Sequence, residues 1–118
     1  MTYHIPENFI HTRSTPFWNK ESVPKALLKH HNTKKGVYGR LSVMRGAVTY
    51  YGFASEHDQQ HETELTIMAG EFGISPPQYW HYIKLQSDDT YFNIDFFAAP
   101  DEILEGEGFE REVNIPAS

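Results

Sequence analysis

Cysteine is absent from all 118 residues. No disulfide frame, no thiolate metal site and no cysteine nucleophile can therefore exist. Long apolar runs are missing too. Nothing approaches the ~20 residues that span a bilayer, so no membrane helix is expected. The start, Met1-Thr2-Tyr3-His4-Ile5-Pro6, has neither a basic leader nor an apolar stretch. A secretory signal is not expected there, and a cytoplasmic setting is. Basic residues are scarce, ten against sixteen acids, for a formal net charge of −6. That deficit argues against a nucleic-acid partner, whose affinity rests on Lys and Arg neutralising phosphates. Internal repeats, low-complexity tracts and a helix-turn-helix pattern are lacking as well.

What is present suits one domain. A chain of this length buries about two thirds of its unfolded surface, enough for a single core. The expected unit is residues 1–118, with 1–20 as an N-terminal arm or edge strand and 101–118 as a C-terminal tail. Charge is unevenly placed: residues 1–45 hold eight basic and two acidic residues, and 46–118 hold two basic and fourteen acidic ones. Either the halves interleave and their charges pair or are solvated, or a basic rim draws in a small anion.

Short β-branched and aromatic runs bounded by Gly, Pro and Asp predict strands. They fall at 37–44, closed by Arg45-Gly46, then at 47–53, 64–68, 71–75, 80–86 and 90–97, with a polar loop at 54–63. Pro76-Pro77 ends a ladder because neither residue has an N–H to donate. Only Val23 to His31 hints at a helix, with Pro24 in its first turn, and Pro100 to Glu105 suits one helical turn. Short strands without helical crossovers imply an all-β antiparallel sandwich or barrel with little helix.

Seven histidines stand out, because neutral imidazole is the commonest metal ligand. His4, His57 and His61 belong to an arm and a polar loop and read as solvated. His81 is different. In Trp80-His81-Tyr82-Ile83-Lys84-Leu85-Gln86 it shares a face with Ile83 and Leu85, which points it inward. An inward imidazole needs a partner; it is either a core histidine bonded to a carbonyl or a ligand. In Thr90 to Phe97 one face carries Tyr91, Asn93, Asp95 and Phe97, the other Phe92, Ile94 and Phe96. Hydrophobicity alone sends Asp95 to solvent. Aromatic residues on both faces favour burial of both, and Asn93 and Asp95 then line a polar cavity.

Gly70, five residues, Pro76, one residue, Gln78, two residues, His81 resembles the second metal-binding signature of the cupin superfamily, with Gln78 in place of its central glycine. The first signature is half present in Val43-Met44-Arg45-Gly46, but Gly39 stands where its glutamate would be. More specifically, Ile10 to Trp18, Gly36 to Met44, Trp80-His81 and Asp88 to Phe97 resemble the small tellurite-resistance TehB-like, or YeaR-like, cupins. That resemblance implies an antiparallel double-stranded β-helix, a jelly-roll barrel, and prefers His31 to His30 as a ligand.

His31, His81 and Asp95 then supply two imidazoles and a carboxylate for a divalent ion, Zn, Fe, Ni or Mn. His11 and His30 are candidates for a fourth or outer position. Arg13 and Arg40 are candidate anion contacts through forked N–H groups, beside Tyr38, Tyr91 and Asn93. The expected function is a metal-binding module that holds a small anion in the barrel, in stress or oxyanion resistance. Methyl transfer is not expected, because there is no Gly-rich loop between a strand and a helix. The alternatives are a non-catalytic sensor of metal or oxyanion and a subunit-interaction module with an empty barrel. A homodimer is expected through the apolar arm residues Phe9, Phe17 and Trp18.

Overall fold

The β-branched and aromatic runs become eight strands in the structure, a computed structural model that describes residues 3–100. They are β1 (Ile10–Ser14), β2 (His31–Asn32), β3 (Val37–Arg45), β4 (Ala47–Phe53), β5 (Thr63–Met68), β6 (Phe72–Ser75), β7 (Trp80–Leu85) and β8 (Tyr91–Ala98). Two four-stranded sheets result, ordered β1-β8-β3-β6 and β2-β7-β4-β5, and every ladder is antiparallel. The pairs β1–β8, β2–β7, β3–β6 and β4–β5 nest like one long hairpin, successive pairs going to alternate sheets. The expected tail at 101–118, with the helical turn running into it, lies outside the described residues.

The fold is all-β, with two differences from expectation. The helix expected over Val23 to His31 shrinks to one 3-10 turn at Lys25–Leu28. Pro24 is extended (ψ 133°) and gives no side-chain cap, while pairing with β7 draws His31 into β2. The sheets also do not close into a barrel: among the described residues no ladder joins one sheet to the other. β2 is two residues long, and Pro76-Pro77 at the corner between β6 and β7 have no N–H to extend a ladder. No helix among the described residues is long and apolar enough to cross a membrane.

Strand alternation builds the core. On β3 Gly39, Leu41 and Val43 are buried, with Arg40 and Ser42 between them on the other face. Val48, Phe92 and Thr90 are fully buried. The Thr90 hydroxyl donates to the Ala47 carbonyl at 3.2 Å and accepts from the Ser87 N–H at 3.2 Å, so a polar group is tolerated there. Gly46, at φ +72°, is required beside it: a Cβ would lie 2.5 Å from both Ser87 Oγ and Thr90 Oγ1.

The arm is tied down by its own chain. Trp18 exchanges backbone hydrogen bonds with Phe92, and its ring lies 5.8 Å from that of Phe92. Phe17 packs on Tyr91 at 5.2 Å and Phe9 on Tyr38 at 5.3 Å. The arm residues Phe9, Phe17 and Trp18, which suggested a homodimer, are thus half-buried against their own chain.

Gln78, at φ 54°, occupies the position where the cupin signature has glycine. Its N–H donates to the Thr33 carbonyl at 2.9 Å, so the turn must keep this shape. A side chain there carries left-handed strain. Gln78→Gly should stabilise the fold by roughly 0.5–1 kcal/mol after the entropy cost of glycine, raising Tm by about 2–5 °C. A melting curve with no rise, or a fall, would contradict this account of the turn.

Candidate functional site

The site begins with a two-residue ladder. β2 pairs with β7 so that His31 stands directly opposite His81, and their rings lie 4.1 Å apart, edge to face. His81 is buried and His31 half-buried. Each Nδ1 faces a main-chain carbonyl: His81 donates to Tyr79 O at 2.7 Å and His31 to Lys29 O at 3.0 Å. A carbonyl can only accept, so both Nδ1 atoms carry the proton and both Nε2 atoms hold a free lone pair. Burial, then the neighbouring His31, push the His81 pKa down to about 4; burial, outweighing the Lys29 bond, lowers that of His31. Both rings are neutral at pH 7. His81 is thus the carbonyl-bonded core histidine and also a ring with a vacant donor atom.

Around this pair lies a cavity of about 260 Å³ between the sheets. Tyr50 stacks on His81 at 4.8 Å, and its hydroxyl hydrogen-bonds Ser75 Oγ at 2.8 Å. Ser75 bonds Thr33 in turn at 3.2 Å. Leu41, Ile67, Ile83 and Ile94 form the apolar wall, and Arg13 and Lys34 line the same cavity. The Arg13 guanidinium rests over the Phe96 ring at 4.8 Å. Neither cation has an acidic partner among the described residues.

Of the expected site residues, His31, His81 and Arg13 meet here. Asp95 does not. β8 turns Ile94 and Phe96 to the cavity, and period-two alternation then sends Asn93, Asp95 and Phe97 to the opposite face of the sheet. There Asp95 accepts from Ser14 Oγ at 2.5 Å, from Arg40 at 3.1 Å and from Asn93 at 3.3 Å. His11 lies 3.8 Å from it and bonds Ser14 at 2.7 Å. Burial pushes the Asp95 carboxyl up, but the Ser14 and Arg40 hydrogen bonds and the Arg40 charge hold it below the usual range. Arg40 is therefore neutralised, and it also lies over Phe97 at 5.0 Å. Tyr38 and Tyr91 sit on this outer face under Phe9 and Phe17. Both faces of β8 are at least half-buried, as its aromatic residues imply, but the arm covers the second one.

His30 is not at the cavity either; its ring lies tilted against that of Phe53, 4.0 Å between centroids, outside the other sheet. Among the described residues no group of three or more His, Cys, Asp or Glu is placed to hold a metal ion. The expected His31–His81–Asp95 set is thus reduced to its two imidazoles. Tyr50, Ser75, Thr33 and Lys34 are additions that sequence reasoning missed. The inward parity of Val48, Tyr50 and Gly52 on β4 was the available signal for Tyr50.

A two-sheet antiparallel domain with an internal, histidine-lined cavity is the class of protein that this geometry defines. Residues 13–94 match the TehB-like domain. The uncharacterized protein YeaR of Escherichia coli (strain K12) is 53% identical over 105 residues, covering 86% of this chain and 88% of its own length. The chain belongs to the TehB-like family. TehB of Haemophilus influenzae (strain 10810), named a probable S-adenosyl-L-methionine-dependent methyltransferase, is 27% identical over 105 residues, and the match spans only 35% of its length. A crystal structure of an E. coli K12 protein, 53% identical, superposes with a TM-score of 0.82 over 84% of this chain and 99% of that one. The crystal structure of H. influenzae TehB, at 25% identity, gives 0.77 over 95% of this chain and 37% of that one.

The depressed His81 pKa has a consequence for stability. The unfolded chain takes up a proton near pH 6.5 that the folded chain refuses until about pH 4. The stability linked to His81 is therefore complete above pH 6.5 and is lost as pH falls towards 4, by about 3 kcal/mol. His31 acts in the same direction. Urea unfolding of the metal-free protein between pH 7 and pH 4 should show this loss, and His81→Gln should flatten it. An equally steep loss in the variant would remove His81 as its source.

Proposed function

We propose that the chain is a small-molecule-binding domain that holds a compact anion between its sheets, with His31 and His81 anchoring a divalent ion such as Zn, Fe, Ni or Mn. The observation that carries this reading is the pair of Nε2 lone pairs, fixed by two carbonyl-bound Nδ1 atoms and set in the same cavity as Arg13 and Lys34. Such outer bonds orient imidazole ligands in metal sites. The nested strand order supports reading the two sheets as a cupin double-stranded β-helix left open at its edges.

The donor set fits a metal incompletely. Two protein donors are one fewer than the three of a catalytic zinc centre, and Gly39, where the cupin signature has glutamate, adds none. The remaining positions fall to the bound anion. A bound ion would supply Lewis-acid polarisation of that anion. Arg13 and Lys34 would balance its charge, and the isoleucine-rich wall would limit water. The family's link to tellurite resistance makes an oxyanion one candidate. We assign the activity in the TehB name to the part of that protein which this chain does not span.

Zinc titration of untagged, metal-free protein should give one equivalent per chain, bound through the two imidazoles. His31→Ala and His81→Ala should each abolish it, while Asp95→Asn should leave it unchanged. Equal binding by wild type and His81→Ala would discard the anchor. Absence of both metal and anion binding would favour the interaction module.

Gly39→Glu offers the converse check. A Cβ at this position meets only ordinary contacts, 3.5 Å from Ile94, 3.7 Å from Phe96 and 3.9 Å from Ser75, so a side chain can start into the cavity here without a clash. The variant should tighten zinc binding about tenfold or more by restoring a third donor. Unchanged affinity would mean that the pair does not address this space.

A further inference from the structure

The cavity is polar at one end and hydrocarbon at the other. Leu41, Ile67 and Ile83 are 7%, 2% and 3% exposed and lie at its depth beside the equally buried Tyr50 and His81, whereas Arg13 and Lys34 are exposed and His31 half-exposed at its rim. The hydroxyls that reach the interior, on Tyr50, Ser75 and Thr33, bond to one another. Among the described residues no side-chain polar atom sealed from solvent lacks a partner, and the open Nε2 atoms of His31 and His81 accept rather than donate. The deep wall therefore offers no free donor to a naked oxyanion, which would lose its hydration there without replacement. It rewards CH₂ groups instead. The rim offers a forked guanidinium and an ammonium, neither matched by an acid among the described residues. A guanidinium fork fits the two oxygens of one carboxylate. At about 260 Å³ the space lies just below the range of drug-sized pockets.

From this arrangement we infer that the occupant is a short-chain aliphatic monocarboxylate, its head at Arg13 and Lys34 and its tail among Leu41, Ile67 and Ile83. The inference rests on reading the cavity as a ligand site and narrows the anion to an amphiphile. Bare tellurite or phosphate can meet the rim alone and leaves the depth empty.

The test is calorimetric titration of the whole, metal-free chain with the sodium salts of straight-chain acids from acetate to octanoate, alongside tellurite and phosphate. Affinity should rise about fourfold per added methylene and stop rising once the cavity is full. Gly39→Val should weaken the longer acids and spare acetate. Its Cβ has room and valine suits a strand, and a melting curve checks its fold. Arg13→Gln should weaken every acid by about the same factor, tenfold or more. Affinity independent of chain length, or tellurite or phosphate matching the best acid, overturns the inference. If zinc still binds the His31–His81 pair in that case, only the ligand class is lost. If neither zinc nor any anion binds, the reading beneath it is lost as well.

Discussion

The ladder between His31-Asn32 and Trp80-His81 is the constraint on which the site depends. Two residues of strand cannot hold themselves, since a typical strand has five or six. Neighbouring contacts hold this one. Gln78 ties its turn to the Thr33 carbonyl, and the Thr33 hydroxyl bonds Ser75, which bonds Tyr50. Leu27, from the 3-10 turn, packs against the core. His81 stands on β7, a strand paired on both sides, while His31 stands on an edge. One donor is therefore fixed by the sheet and the other by a short strand whose position depends on four side contacts. Any ligand that bridges them also strengthens the weaker ladder.

β8 divides the polar chemistry of the molecule in two. Its period-two alternation gives Ile94 and Phe96 to the cavity and Asp95 to the outer face, where Ser14 and Arg40 satisfy the carboxylate. The uneven charge then divides into cations that pair with acids and cations that line the cavity. Some basic residues of the first half pair with acids of the second, as in Arg40–Asp95 and Lys20–Asp88, 3.2 Å apart. Arg13 and Lys34 form the basic rim. A cation already matched by a carboxylate attracts an anion weakly. For that reason Arg40, although chemically suited to the task, serves to fasten β3 to β8 through Asp95, and Arg13 is left for the cavity.

Local signals were legible wherever chain chemistry acts alone. Strand β4 falls on the expected residues 47–53, and the ends of β3, β5, β6, β7 and β8 shift by one residue. Alternation also placed His81 inward without reference to any partner. The failures are those of long-range context. Val23 to His31 has enough apolar residues for a helix, but the choice was made by β7, some fifty positions away in the chain. Asp95 lies outside the cavity because the aromatic residues on the two faces of β8 are buried in two different places. The second covered face is instead built by the arm, through Phe17 on Tyr91 and His11 on Phe97. No spacing rule within β8 reports which of two burials a face will receive.

Gly39 bears on whether the cavity is functional or merely left over from imperfect packing. It stands in mid-strand on β3, buried, where glycine weakens a strand and leaves space unfilled. Its neighbours would accept a Cβ at ordinary contact distances, so no steric demand excludes alanine or valine there. Its φ is not in the left-handed region either, unlike those of Gly36, Gly46 and Gly70. Interiors are otherwise close-packed, and filling a void while raising strand propensity is among the easiest ways to stabilise a domain. Glycine here costs stability twice, once in the strand and once in the void, with no compensation in the folded chain alone. The proposed occupant would offset both costs together, because a ligand that fills the space would stabilise only the folded form.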